Sequence, residues 1–92
     1  MRVVWTETAI GHLTRIQEYI ERDQPTAARR MAQRIAASVE RLAKHPYLGR
    51  PGRDVDTREL IVPGTPYIVP YKVHRDRLVI LAVFHAAQDG TQ

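Results

Sequence analysis

The stretch that decides the fold runs Pro66-Tyr67-Ile68-Val69-Pro70-Tyr71-Lys72-Val73-His74-Arg75-Asp76-Arg77-Leu78-Val79-Ile80-Leu81-Ala82-Val83-Phe84-His85. Two runs rich in Val, Ile, Tyr and Phe flank the charged pair Arg75-Asp76, the pattern of two antiparallel strands joined by a two-residue hairpin loop. That loop sets Tyr71 opposite Ile80 and Val73 opposite Leu78. Side chains alternate along a strand, so Tyr67, Val69, Tyr71, Val73, Leu78, Ile80, Ala82 and Phe84 share one face with the composition of a core. The other face carries Ile68, Pro70, Val79, Leu81 and Val83 at one end and Lys72, His74 and Arg77 near the turn. It is too apolar for a solvated surface and too charged for an interior. An apolar patch rimmed by cations marks a partner-binding surface. Pro70 removes a ladder donor from the middle of its strand, so a bulge is expected there, re-aiming nearby side chains.

Moving toward the N-terminus, Arg58-Glu59-Leu60 reads as a further strand. Arg58 and Glu59, being adjacent on it, point to opposite faces, which argues against a catalytic dyad. Before it, residues 47–57 form a loop rich in Gly, Pro and Arg, whose Arg50 and Arg53 converge with Arg58 on the strand entrance. Such a loop lacks apolar anchors and belongs on the surface, where binding residues concentrate. Upstream again, Ala28, Met31, Ile35, Val39 and Leu42 recur at helical spacing, predicting a helix over residues 27–44. Arg30, Arg34, Ala37, Arg41 and Lys44 form a basic stripe on its opposite side, along about 20 Å of helix. The bland account of that stripe is a solvated face paired locally with acids such as Glu40. His45-Pro46 ends this helix, with His45 as a cation suited to the helix dipole.

Asp23-Gln24-Pro25-Thr26 makes a corner, with Thr26 able to cap the second helix. In the preceding helix Thr6 is the candidate cap, and Ala9, Leu13, Ile16 and Ile20 form one apolar stripe. Arg2-Val3-Val4-Trp5 reads as a first strand. The order is strand, helix, helix, strand, strand, strand. It predicts an α+β fold, a helical hairpin packed on one face of a mostly antiparallel four-stranded sheet. Ninety-two residues (1–92) are material for a single domain. The segment after His85 reads as an unpacked terminus.

Fourteen Lys and Arg against ten Asp and Glu give a net charge of +4, and Arg greatly outnumbers Lys. The planar guanidinium suits phosphates and carboxylates alike, so the balance favours a nucleic-acid surface or an acidic protein partner. With no cysteine, disulfide and thiol chemistry are excluded, which fits a reducing compartment. No apolar run approaches the ~20 residues of a membrane span and no signal-peptide pattern follows Met1, so the expectation is a cytoplasmic protein without a membrane partner. The sequence contains no phosphate loop and no nucleophile motif. Its four histidines are scattered without ligand spacing, so no metal and no cofactor are expected; His12 and His74 read as surface residues.

Taken together, the Trp5 strand, the Asp-Gln-Pro-Thr-Ala-Ala corner, His45-Pro46 followed by Gly49-Arg50, Arg58-Glu59-Leu60, Pro66-Tyr67-Ile68-Val69, Tyr71-Lys72-Val73 and Val83-Phe84-His85 resemble the RelE/ParE toxin superfamily of type II toxin-antitoxin systems. The resemblance spans nearly the whole chain. It implies a small basic toxin silenced by a co-expressed acidic antitoxin, whose C-terminal segment wraps the toxin and whose other end binds operator DNA. Ile68, Pro70, Val79, Leu81 and Val83 would be the antitoxin-binding residues, and Arg50, Arg53, Arg58, Lys72 and Arg77 the ones that meet the target or nucleic acid.

Two activities divide that superfamily. RelE-like members cleave mRNA in the ribosome, which needs a base, an acid and cations around one phosphate. In that branch an arginine stands three positions before the tyrosine of the penultimate strand, and here that position holds Ile68. Some members end in a His-Tyr pair, whereas here His85 precedes Ala86. Arg53, Arg58, Tyr71 and His85 are the available cast for that chemistry. The departures lean toward the ParE branch, which inhibits DNA gyrase by binding rather than by side-chain chemistry.

Overall fold

The computed structural model describes residues 1–89. Strand β1 (Arg2–Trp5) leads into helix α1 (Glu7–Glu21) through Thr6, whose extended backbone and side chain make the cap read from the sequence. Thr6 Oγ1 accepts from the Ala9 amide at 3.1 Å and donates to the Ile80 carbonyl at 2.8 Å, so one hydroxyl starts the helix and ties it to the sheet. Helix α2 (Pro25–Lys44) begins earlier than expected. Pro25, not Thr26, opens it, because proline's fixed φ and missing N–H suit the first helical position; Gln24 stands at the cap without a side-chain bond.

Strands β2 (Arg50–Pro51), β3 (Thr57–Ile61), β4 (Tyr67–His74), β5 (Arg77–Ile80) and β6 (Phe84–His85) complete the sheet, and a final turn, α3, covers Ala86–Asp89. The α+β class and the helical hairpin over one sheet face are as read from the sequence. The four-stranded, mostly antiparallel sheet is corrected to a mixed sheet of six strands in the order β1-β5-β4-β3-β2, with β6 on β4. The extra strands have simple origins: the Gly/Pro/Arg loop folds back as β2, and the last predicted strand is split into β5 and β6. Because the helical hairpin carries the chain away from β1, that strand meets β5 in parallel, Val3 beside Leu78 and Trp5 beside Ile80. The segment after His85 is not wholly unpacked. Ala86 donates its amide to the Pro66 carbonyl at 2.7 Å, and Gly90 onward lies outside the described residues.

Arg75, at φ 57, turns the predicted hairpin, and Tyr71 faces Ile80 as Val73 faces Leu78. Farther along, the register moves by one residue, since Ile68 faces Phe84 and Tyr67 faces His85. Leu81 donates its amide to the Pro70 carbonyl at 2.9 Å, so the bonding edge of Pro70 points at this last segment. Proline has no amide to return, and the ladder breaks through residues 81–83. The bulge anticipated at Pro70 therefore lies in the strand opposite it.

A one-residue slip exchanges the faces of everything beyond it. Phe84, expected in the core, lies half-buried on the outer face beside Ile68. Val83, expected on the partner face, joins the core cluster instead. Ile68 keeps its face but is itself buried between its cross-strand neighbours Ile61 and Phe84, and Ala82 is half-buried outside the core. The core packs Ala9, Ile35, Val39 and Leu42 of the helices onto Leu60, Val69, Tyr71, Leu78 and Ile80 of the sheet. No helix among the described residues is long and apolar enough to cross a membrane.

The register shift makes opposite demands on neighbours in sequence. Val83→Lys should abolish cooperative thermal unfolding, because it buries an unpaired charge, whereas Phe84→Lys should leave a folded chain. Circular dichroism melts of the two variants check the order.

Candidate partner-binding face and its cations

Strand β2 aligns Arg50 with Glu59, and both lie on the face of the sheet away from the helices. Arg50 holds Glu59 Oε1 through Nη2 at 3.0 Å and Nε at 3.3 Å, while Arg53 Nε stands 3.9 Å from Oε2. Glu59 is only 7% exposed, and a carboxylate so buried requires such partners. Beside this cluster, Pro70, Leu81, Ala82 and Phe84 line a shallow groove that also touches Arg53 and Thr57. Each of these four residues is half-buried. The outer face is thus neither sealed by the chain nor uniformly polar.

Arg58, one residue from Glu59, points the other way. Its Nη1 donates to the carbonyls of Gly49 at 2.8 Å and Tyr47 at 3.4 Å, and its guanidinium lies 5.0 Å from the centre of the Tyr47 ring. Tyr71, its cross-strand neighbour, is fully buried. The Tyr71 hydroxyl accepts from the Gly49 amide at 2.8 Å and donates to the Pro46 carbonyl at 2.8 Å. A side chain at position 49 has no room, since a Cβ there would stand 2.7 Å from that hydroxyl. Arg58 and Tyr71 together pin the turn that follows α2.

At the hairpin end of the same outer face, Lys72 and His74 alternate along β4, Arg77 faces His74, and Arg2 lies beside Arg77. Like charges set side by side are unfavourable without an anion to share. Among the described residues the ion pairs run to Glu59, and none reaches Lys72 or Arg77. A groove beside them is lined by Arg58, Lys72 and His74.

His85 stands elsewhere, at the far end of β4. Its ring meets Tyr67 edge-on at 5.5 Å, and its Nδ1 accepts from the Ala87 amide at 3.1 Å. The structure therefore brings Arg58 and Tyr71 together, leaves Arg53 on the opposite face with Glu59, and puts His85 in a different groove.

The model of a protein family, the ParE toxin of the type II toxin-antitoxin system parDE, matches residues 3–90. The chain belongs to that family. It is 47% identical over 91 residues to "Putative toxin Y4kP" of Sinorhizobium fredii, covering 99% of this chain and 94% of that one. "Toxin RelE2" of Caulobacter vibrioides is 39% identical over 87 residues, covering 95% of this chain and 97% of that one. Among solved structures, the "Chromosomal ParDE TA system from P. aeruginosa" superposes with a TM-score of 0.84 at 25% identity, over 92% of this chain and 95% of that chain.

In this ParE-family toxin, one group escaped the reading of the sequence. His12, taken as a surface residue, accepts the Val83 amide on Nδ1 at 3.2 Å and so anchors the bulge to α1. With Arg15 and the 73% exposed Tyr19 it lines the groove that also contains Tyr67 and His85. Positions 12, 15 and 19 share one helix face, the only signal available, since the Val83 contact spans 71 residues of chain.

Burial pushes the pKa of the Tyr71 hydroxyl above the ordinary 10.0, against the opposing pull of the Gly49 hydrogen bond and Arg58. Tyr67 is raised by burial and further by Tyr19. The folded chain holds both protons more tightly than the unfolded chain. Their contribution to stability is therefore complete below pH 10 and lost as pH rises through the folded values. Tyr71→Phe should cost about 2 kcal/mol at neutral pH by stranding buried backbone groups. It should also flatten the fall of stability above pH 10. Denaturant midpoints across an alkaline series measure both effects, and an unchanged slope would place the ionisation on another group.

Proposed function

We propose that this toxin disables DNA gyrase by docking onto it, and that a cognate acidic antitoxin silences it by covering the outer face of the sheet. The observation that carries the reading is the separation of His85 from Arg53, Arg58 and Tyr71. RNA cleavage requires an acid, a base and cations gathered at one phosphate. Here Tyr71 is enclosed with both hydrogen-bonding roles of its hydroxyl occupied, and Arg58 is spent on backbone carbonyls. A binding mechanism asks only for a shaped and charged surface. Lys72 and Arg77 supply the charge, with Arg50 and Arg53 beside the groove.

For the antitoxin, the half-open residues Pro70, Val79, Leu81 and Phe84 are the accessible part of the apolar face. Ile68 and Val83, buried in the folded chain, support that surface from beneath. A disordered amphipathic segment laid across it would bury apolar area and place its carboxylates against the cationic end.

The name of the relative Toxin RelE2 favours the second reading of the sequence, a ribosome-dependent mRNA interferase. Two assays separate the readings. Purified toxin should inhibit gyrase supercoiling and accumulate cleaved DNA, and should leave mRNA intact in a translating extract. Cuts that depend on ribosomes and vanish in His85→Ala would reverse the choice.

Leu81→Asp should weaken antitoxin binding at least tenfold, about 1.4 kcal/mol or more, because it places a carboxylate where the partner's apolar and acidic groups must sit. Arg29→Ala, on an exposed part of α2, should change it little. Calorimetric titration of both variants with the antitoxin checks this, and equal losses would move the interface off the outer face.

A further inference from the structure

The groove between α1 and the far end of the sheet holds polar side chains that the function proposed above leaves unused. Helix α1 forms one wall through His12, Arg15 and Tyr19, and Tyr67 and His85 of the sheet form the other. The groove measures about 720 Å³, within the ~300–1,000 Å³ of small-molecule sites. Among the described residues that line it there is no carboxylate.

Its hydrogen-bonding character is set by the backbone. The Val83 amide donates to His12 Nδ1 at 3.2 Å, and the Ala87 amide donates to His85 Nδ1 at 3.1 Å. A ring nitrogen that accepts carries no proton, so each imidazole is neutral with its proton on Nε2. Among the described residues neither Nε2 meets a partner, and neither is sealed from solvent without one. Arg15, exposed and in no ion pair among the described residues, adds a guanidinium. Tyr67 is only 8% exposed, yet its hydroxyl also reaches solvent. Burial and the neighbouring Tyr19 raise the Tyr67 pKa above 10.0, which keeps that hydroxyl a donor at neutral pH. Donors on both walls, a cation and no carboxylate are the complement of an anion.

We propose that this groove binds a nucleoside phosphate, its phosphate held by Arg15 and the Nε2–H groups of His12 and His85, and its base laid on the exposed ring of Tyr19. A phosphate monoester presents three strong acceptor oxygens and can meet donors that approach from two walls. The ring of Tyr19, on a side chain 73% exposed, offers a flat face on which a base stacks, a feature that an acidic peptide would leave unused. Binding, not cleavage, is the chemistry that follows. Cutting an ester requires a base, and the accepting nitrogen of each imidazole is already occupied by a backbone amide. The proposal does not depend on gyrase being the target.

The test uses the whole chain, labelled with heavy nitrogen for NMR, titrated with AMP, adenosine or inorganic phosphate at up to about 1 mM, a range that detects weak binding. AMP should shift the Val83 and Ala87 amides and the Nε2 resonances of His12 and His85, and adenosine and phosphate should each bind at least tenfold more weakly. Long-range proton–nitrogen spectra of the free chain should find both imidazoles protonated on Nε2; protonation on Nδ1 of either overturns the donor assignment. Arg15→Gln and Tyr19→Ala, both at exposed positions, should each weaken AMP binding about tenfold and leave the core resonances in place. His85→Asn keeps an acceptor near the place of Nδ1 and removes the Nε2 donor, so it should weaken binding while the Ala87 amide stays protected. A trinucleotide with a terminal phosphate that binds more tightly than AMP would make the source a strand end, and one that binds more weakly a free nucleotide; either order upholds the site. The proposal is overturned by no binding of AMP, by shifts centred away from this groove, or by equal binding of adenosine. Equal binding of an octapeptide alternating glutamate and valine also overturns it, since the groove would then be a site for acidic peptide.

Discussion

A missing amide governs the architecture of this toxin. Pro70 occupies the middle of the longest strand with its bonding edge toward the end of the chain, where the ladder needs a donor that proline lacks. The sheet answers by advancing one residue, and the carbonyls near the break are taken up by Thr6, whose hydroxyl lies 2.8 Å from Ile80 O and 3.4 Å from Leu81 O. His12 accepts the Val83 amide on the same stretch. Two side chains from the start of the chain thereby satisfy backbone groups released near its end. Val83 closes the core as a consequence, while Leu81 and Phe84 remain available outside it.

A second constraint acts on the turn after α2. A buried tyrosine hydroxyl that could not find partners would be destabilising, and Tyr71 finds both in the backbone of Pro46 and Gly49. Arg58 reinforces the same turn from the adjacent strand. Two residues that resemble catalytic equipment in the sequence are therefore structural in their contacts. Among the described residues, the cations outside the ion pairs to Glu59 include those at the hairpin end of the outer face and along α2.

Sorting of cations explains why the candidate site was only partly legible. Arg50, Arg53 and Arg58 lie within nine positions of one another and count equally toward the net charge, yet Arg50 on β2 and Arg53 in the bend after it reach Glu59, while Arg58 on β3 turns to carbonyl oxygens. Residue type and spacing placed Arg58 and Glu59 on opposite faces. They carried no information on which carbonyls would lie within reach of Arg58, nor on His12 meeting Val83 across the length of the chain.

Local patterns were enough for the elements themselves: the Thr6 cap, the apolar faces of both helices, the Arg75-Asp76 hairpin and the core half of β4 and β5 all follow from interactions among residues near in sequence. Period and turn chemistry act over a few residues, so one chain read alone determines them. Tertiary structure decided the parallel seat of β1, the one-residue slip opposite Pro70, and with it the exchange of Val83 and Phe84 between core and surface. Those outcomes depend on which distant backbone group meets an unsatisfied donor or acceptor, and such a meeting is settled only when the helices and the sheet have closed on each other.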